Sequence, residues 1–171
     1  MAKPLPARGR DFSSNSPDWF ENVYNSHVDM LCRVSYSYIK NTHDSDDIVV
    51  DVFLKLLEKR IEFKNAEHEK AWLLRTTVNL CKDRLKHWWR RRKDIDDYRN
   101  LAADNRFEDD EILKIVLDLP ERYKAVIYLY YYEGYSSEEI ADILKKPRST
   151  VLNHLSEARN ILKGVLEDEK Q

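Results

Sequence analysis

The chain has 171 residues, of which 42% are hydrophobic and 35% charged, with three glycines and a formal net charge of −2. That supply of apolar side chains suffices for a core, and the glycine-poor, Leu/Lys/Glu/Arg-rich make-up favours helices. Three isolated glycines exclude a P-loop or a dinucleotide fingerprint, and the five histidines and two cysteines show no zinc spacing and no HExxH; GxSxG is also absent.

Residues 1–16 mix Pro, Ser and Gly without periodicity and read as a flexible tail that lacks the apolar run of a secretory signal. A first helix is predicted over 17–40, with Ser16 as cap, Pro17 at the first helical position, and Phe20, Val23, Tyr24, His27, Leu31, Val34 and Tyr38 recurring at helical steps. "NTHDSDD" then supplies capping residues, and Asp44 or Ser45 is expected to start a second helix over 46–60. Val49, Val52, Phe53, Leu56 and Leu57 form its inward stripe, leaving Val50 and Leu54 as exposed aliphatics among acids. Residues 61–69 are expected as a loop and 69–92 as a third helix, with Leu74, Val78, Cys81, Leu85 and Trp88 on one face. Trp72, Thr76, Asn79, Asp83, Lys86 and Arg90 lie opposite. Both cysteines, Cys32 and Cys81, fall on apolar stripes and are expected as reduced core residues.

Charge is segregated although the sum is nearly neutral. Residues 82–93 carry seven basic side chains against one acidic, and 94–111 carry eight acidic against two basic. The first stretch exceeds what solubility needs and is expected to hold phosphate; the second reads as an interdomain linker. Inside the basic run stands Trp88-Trp89. With Trp88 on the core stripe, both are expected to cover the helix end, stacking of Trp89 on a base being the alternative.

From about 111 a second helical unit begins, with Ile112, Ile115, Val116 and Leu119 apolar, Pro120 at a helix start and Gly134 at its stop. Ser136 and Glu139 form a capping box, and Pro147 ends that short helix after two turns. "RSTVLNHLSEARNIL" follows as a fresh helix with Val151, Leu155, Ala158 and Leu162 inward. Short helix, tight turn and longer helix make a DNA-reading helix-turn-helix, whose outer face presents Arg148, Ser149, Thr150, Asn153 and His154, with Leu152 and Ser156 as further contacts; Glu157 there opposes phosphate.

Two stretches together resemble the extracytoplasmic-function (ECF) sigma factors of bacterial RNA polymerase. "DSDDIVVDVFLKLL" with "KAWLLRTTVNLCKDRLKHWWRRR" is similar to region 2 of that family, and "LPERYKAVIYLYYYEGYSSEEIADILKKPRSTVLNHLSEARNILK" to region 4. The resemblance implies an all-α chain of two small helical domains joined by an acidic flexible linker: a tail at 1–16, region 2 at 17–93, the linker at 94–110 and region 4 at 111–165. Asp47, Ile48, Val50, Asp51 and Leu54 would meet core RNA polymerase at its β′ clamp, and region 4 its β flap. Phe63, Lys64, Asn65, Trp72, Asn79, Lys82, Lys86, Arg90 and Arg91 would bind and open the −10 element. Lys146, Arg148, Ser149, Thr150, Asn153, His154 and Arg159 would bind the −35 element. Val50 stands where the family usually has glutamine, and Lys145-Lys146-Pro147 replaces a glycine-containing turn.

The expected activity is that of a non-catalytic initiation subunit in the cytoplasm, with promoter DNA, core polymerase and an anti-sigma factor as partners and with neither cofactor nor metal. An autonomous helix-turn-helix regulator remains the alternative. An enzyme acting on DNA would need the carboxylates Asp44, Asp46, Asp47 and Asp51, which capping and docking explain better.

Overall fold

The computed structural model describes residues 17–91, 105–107 and 109–168. The expected tail, most of the expected linker, and Arg92 and Lys93 lie outside the described residues.

Three helices make the first module: α1 (Pro17–Ile39), α2 (Thr42–Lys59) and α3 (Ala66–Arg91). Their apolar stripes meet at Val23, Leu31, Val34 and Tyr38 of α1, Val49, Val52 and Leu56 of α2, and Leu73, Leu74 and Val78 of α3, all buried. Each such side chain contributes roughly 1.5–3 kcal/mol by leaving water. Lys40 turns the chain with φ 58°, and Asn41 caps α2 by accepting the backbone N–H of Asp44 at 3.0 Å. The helix therefore starts one turn before the expected Asp44 or Ser45 cap. Asparagine at that position reaches the third amide of the helix and places Asp44 in its positive first turn. Similarly Asn65 accepts from the amide of His68 at 2.8 Å, so α3 begins at Ala66 and the preceding loop is shorter than expected.

One polar pair inside this module was not legible in the periodicity. Glu69, almost fully buried, accepts from Nε2 of His27 at 3.1 Å, tying α1 to α3. Cys81 is buried as expected, and burial pushes its thiol up to about 12. Cys32 is half-buried at a groove edge; burial and then Asp46 push its thiol up to about 11.

The second module holds α4 (Glu111–Asp118), α5 (Glu121–Ile127), a π-helical turn (Tyr128–Tyr132), α6 (Ser137–Leu144) and α7 (Arg148–Asp168). In α4, Leu113 and Val116 face inward, while the apolar side chains of Ile112 and Ile115 are exposed. Gly134 takes φ +72° and stops the tyrosine-rich helix. The capping box forms as expected: Ser136 Oγ accepts from Glu139 N, and the Glu139 carboxylate from Ser136 N at 2.8 Å.

The turn after α6 places Lys145 at φ 53°, with Lys146 N donating to Ala141 O at 3.0 Å. Left-handed backbone costs a residue with a Cβ about 1 kcal/mol or more, and glycine avoids that cost. Lys145→Gly is therefore expected to stabilise the second module by about 1 kcal/mol, read as a higher midpoint in urea unfolding with unchanged slope.

The modules, expected as bodies on a tether, pack together: α1 lies against α4 and α5, and α3 against α6. Two cations join them by the same device. Lys124 Nζ, on α5, donates to Leu117 O of α4 at 2.8 Å and also to Ser37 O in the last turn of α1. Arg75 Nε, on α3, donates to Ile143 O in the last turn of α6 at 2.6 Å. Terminal carbonyls of a helix have no partner within it and carry its negative dipole end, so a cation from the opposite module satisfies both needs. Lys70 adds an ion pair to Glu133 at 2.7 Å. Ahead of α4, Arg106 grips Asp46 of α2 through two nitrogens at 2.7 and 3.1 Å, and Phe107 packs on Tyr36.

Candidate nucleic-acid interface

Three surfaces carry the expected site residues. On α2, Val50 is 56% and Leu54 49% exposed, as the acidic-aliphatic pattern predicts. Leu57, expected inside, is 46% exposed, and Tyr24 of α1 stands beside the same face. Val50, Leu54 and Leu57 follow at i, i+4 and i+7, a second apolar stripe beside the core one. That spacing was readable in the sequence, but a lone helix pattern cannot say which of two stripes is buried. With Phe20, Val49 and Phe53 these residues line a groove of about 780 Å³, to which Asp46 and Arg106 add charged groups. Asp47 and Asp51 flank it, Asp51 lying 3.7 Å from Arg84 of α3. Ile48 does not belong to this face. It is 1% exposed, in the core between the helices, so it supports the docking residues from beneath.

The second surface is the loop before α3 and the outer face of that helix. Lys64, Asn79, Lys86 and Arg90 are exposed, and Trp72 is half-buried. Phe63 is buried, packed against His68 and Trp72 with ring centroids 5.5 and 6.0 Å apart. It forms the floor of the loop rather than a contact surface, and Asn65 spends its side-chain oxygen on capping α3. Lys82 is half-buried where α3 meets the second module; burial and then the charge of Lys146 hold its ammonium below the ordinary lysine value. Two cationic surfaces thus abut across the module boundary. The backbone of α3 reaches Arg91, whose side chain lies outside the described set.

The end of α3 departs from expectation. From Lys86 to Arg90 every side chain is exposed, Trp88 by 36% and Trp89 by 64%. The core stripe ends at Cys81 and half-buried Leu85. Trp88 lies just past the last buried position of that stripe and stands at its margin.

The third surface is the outer face of α7. Arg148, Ser149, Leu152, Asn153 and Ser156 are exposed, with Thr150 and Lys146 partly so. Thr150 N and Val151 N donate to Pro147 O at 3.0 and 3.2 Å, which fixes the start of the reading helix. His154 is turned inward, its ring edge-on to Tyr123 at 5.4 Å; burial and then Lys146 hold its imidazole below the usual value. Arg159 donates to Tyr131 Oη at 2.8 Å and lies over the Tyr130 ring, so its guanidinium braces α7 on the tyrosine turn instead of projecting towards DNA. Glu157, the acid that opposes phosphate, accepts from Tyr123 Oη at 2.6 Å and has a bracing role of its own.

Comparison with known proteins identifies the two modules. Residues 23–93 match the family Sigma-70 region 2, and residues 109–162 match Sigma-70, region 4. An all-helical pair of modules carrying these two regions defines a promoter-recognising sigma factor of RNA polymerase. Over 189 aligned residues the chain is 23% identical to the ECF RNA polymerase sigma factor SigW of Bacillus subtilis, covering 98% of this chain and all of that one. It is 28% identical to RNA polymerase sigma factor SigV of the same organism, over 80% of this chain and 84% of that one. The fold matches the sigma factor RpoE solved with the anti-sigma factor NepR from Bartonella quintana, with a TM-score of 0.70 and 21% identity over 86% of this chain and 96% of that one. The chain belongs to the ECF family of RNA polymerase sigma factors. Members of this family are non-catalytic initiation factors. Among the described residues no helix is long and apolar enough to cross a membrane.

Proposed function

We propose that the α2 face docks on the β′ clamp of core RNA polymerase through Val50, Leu54, Leu57 and Tyr24, with Asp47 and Asp51 as its charged rim. In this reading Lys64, Trp72, Asn79, Lys86 and Arg90 engage the −10 element, and Arg148, Ser149, Thr150 and Asn153 read the −35 element, with Lys146 on its phosphates. The observation that carries the reading is the coexistence, in one chain, of an exposed reading helix and a separate apolar docking groove. An autonomous regulator would have no use for the groove.

The packed arrangement of the two modules is a resting form. Elements centred at −10 and −35 lie about 25 base pairs apart, or roughly 85 Å along B-form DNA at about 3.4 Å per pair. A compact chain of this length has a radius of gyration of roughly 16 Å. One closed molecule cannot reach both elements, so Lys124 and Arg75 must release their carbonyls before initiation. An anti-sigma factor in the cytoplasm would hold the closed form, and core polymerase the open one.

The test is a gel shift and run-off transcription on a library of promoter sequences, each with and without core polymerase. Specific binding and defined transcripts are expected with polymerase alone present as partner. Tight specific binding by the lone protein would favour the autonomous regulator, and failure to associate with polymerase would end the sigma reading.

A further inference from the structure

The reading helix carries an acid where a duplex would meet it. Glu157 follows Thr150 and Asn153 of α7 at i+7 and i+4, so it prolongs their stripe, and it is exposed. It stands about 6 Å along the helix axis from Asn153. The major groove is about 12 Å wide, so an acid one turn from a base-reading side chain comes close to a row of phosphates. The second module meets this repulsion from behind. Tyr123 of α5 is buried under α7 and donates its hydroxyl to Glu157 Oε2 at 2.6 Å. Two neighbours fix the ring: the His154 imidazole meets it edge-on at 5.4 Å, and the Arg122 guanidinium lies 4.7 Å over its face. Resting on the −35 reading proposed above, we infer that Tyr123 is a positioning residue for promoter binding: its hydroxyl holds the Glu157 carboxylate back against α5, clear of the phosphates that the Thr150 and Asn153 stripe approaches.

The chemistry sets the direction of the effect. A carboxylate bonded to a phenol keeps its charge, but the short charge-assisted bond keeps that charge in one place. Released, the glutamate can turn towards the backbone of a bound duplex and repel it. The phenol is a dependable donor, because its bond to Glu157, and then burial, raise its pKa above the ordinary tyrosine value. A bond that merely braced α7 on α5 would behave otherwise. Its loss would loosen the packing whatever the charge at position 157, and a neutral amide there would restore nothing.

The experiment titrates reconstituted holoenzyme with a duplex from the promoter library that carries the upstream element alone, at low and at high salt. Tyr123→Phe, Glu157→Gln and the double variant are compared with the parent, with Asn153→Ala beside them. Phenylalanine keeps the ring and Glu157 is exposed, so each should retain the parent's helicity by circular dichroism. Tyr123→Phe is expected to weaken the duplex about 3- to 10-fold at low salt, and the loss should shrink as salt screens it. Glu157→Gln should return the Tyr123→Phe variant to the parent's affinity while changing the parent itself less than about twofold. A Tyr123→Phe loss that glutamine leaves in place and salt does not alter would show a brace and overturn the inference. Equal tightening by glutamine in both backgrounds would overturn it too, since the hydroxyl would then have no say in where the charge stands. Should Tyr123→Phe unfold, Glu157→Gln in the parent decides alone: tightening beyond about twofold would show a carboxylate already facing phosphate and sink the idea, and a smaller change supports it. Asn153→Ala separates the two readings. If it loses the duplex while Tyr123 and Glu157 show no coupling, the −35 reading stands and the inference falls; if it binds as the parent does, α7 is not the reading helix and both fall.

Discussion

Leu54→Asp should lower the affinity for core RNA polymerase by roughly 1000-fold, about 4 kcal/mol, without disturbing the fold. The estimate has two parts. Leu54 loses the roughly 2 kcal/mol that a leucine contributes when an interface buries it. The new carboxylate, seated in an apolar groove beside Val50 and Leu57, is buried without a partner and costs at least as much again. The free protein is unaffected because Leu54 is about half exposed, and changes at such positions stay within about 0.5 kcal/mol. Ile48 supplies the contrast. It belongs to the core, so Ile48→Asp would remove polymerase binding by unfolding the module and would say nothing about docking. Titration of fluorescently labelled protein with core polymerase measures the loss. An affinity within threefold of the parent would place the docking surface elsewhere.

The contrast between Leu54 and Ile48 shows what the sequence can and cannot convey. Helical periodicity located seven of the described helices and the break at Pro147, because caps and apolar spacing are local properties of the chain. It could not rank two adjacent stripes on α2, since which one is buried depends on where α1 and α3 pass. Leu57 was misplaced for that reason, and Tyr24 was read as core. Trp88 failed differently: its spacing continues the core stripe faithfully, but burial along that stripe fades after Cys81 and half-buried Leu85, and Trp88 is 36% exposed. The contacts of Arg159, Glu157 and His154 with the tyrosines Tyr131 and Tyr123 span 28 to 34 residues of sequence, beyond any local pattern. The docking of the modules was invisible for the same reason. Lys124 and Arg75 read as ordinary helix-surface cations until the ends of α1 and α6 appear beside them.

That docking yields the second large effect. Arg75→Ala combined with Lys70→Ala removes a charged donor from Ile143 O and one half of the ion pair with Glu133. A hydrogen bond to a charged group is worth about 1.5–3 kcal/mol, so the pair should shift the balance between closed and open modules roughly 100-fold towards open. Energy transfer between dyes on the two modules reads the change as a fall in efficiency, and unchanged transfer would deny these contacts a role in closure. Lys124 adds a pH signature. Burial and then Lys40 hold its ammonium down to about 8 from the ordinary 10.5. With the modules apart the group loses the burial that α1 supplies and binds its proton more tightly than the closed form does. Below pH 8 both forms are protonated and the closed form bears the full penalty of a buried charge. As pH rises above 8, closure releases the proton and strengthens, by at most tenfold per pH unit. Lys82, also lowered by burial at the boundary, acts in the same direction. Transfer efficiency in the double variant should therefore recover as the solution is made alkaline, and Lys124→Met should flatten that recovery to the smaller slope left by Lys82. A double variant that opens further at high pH would show that the lysine is not released from water by closure.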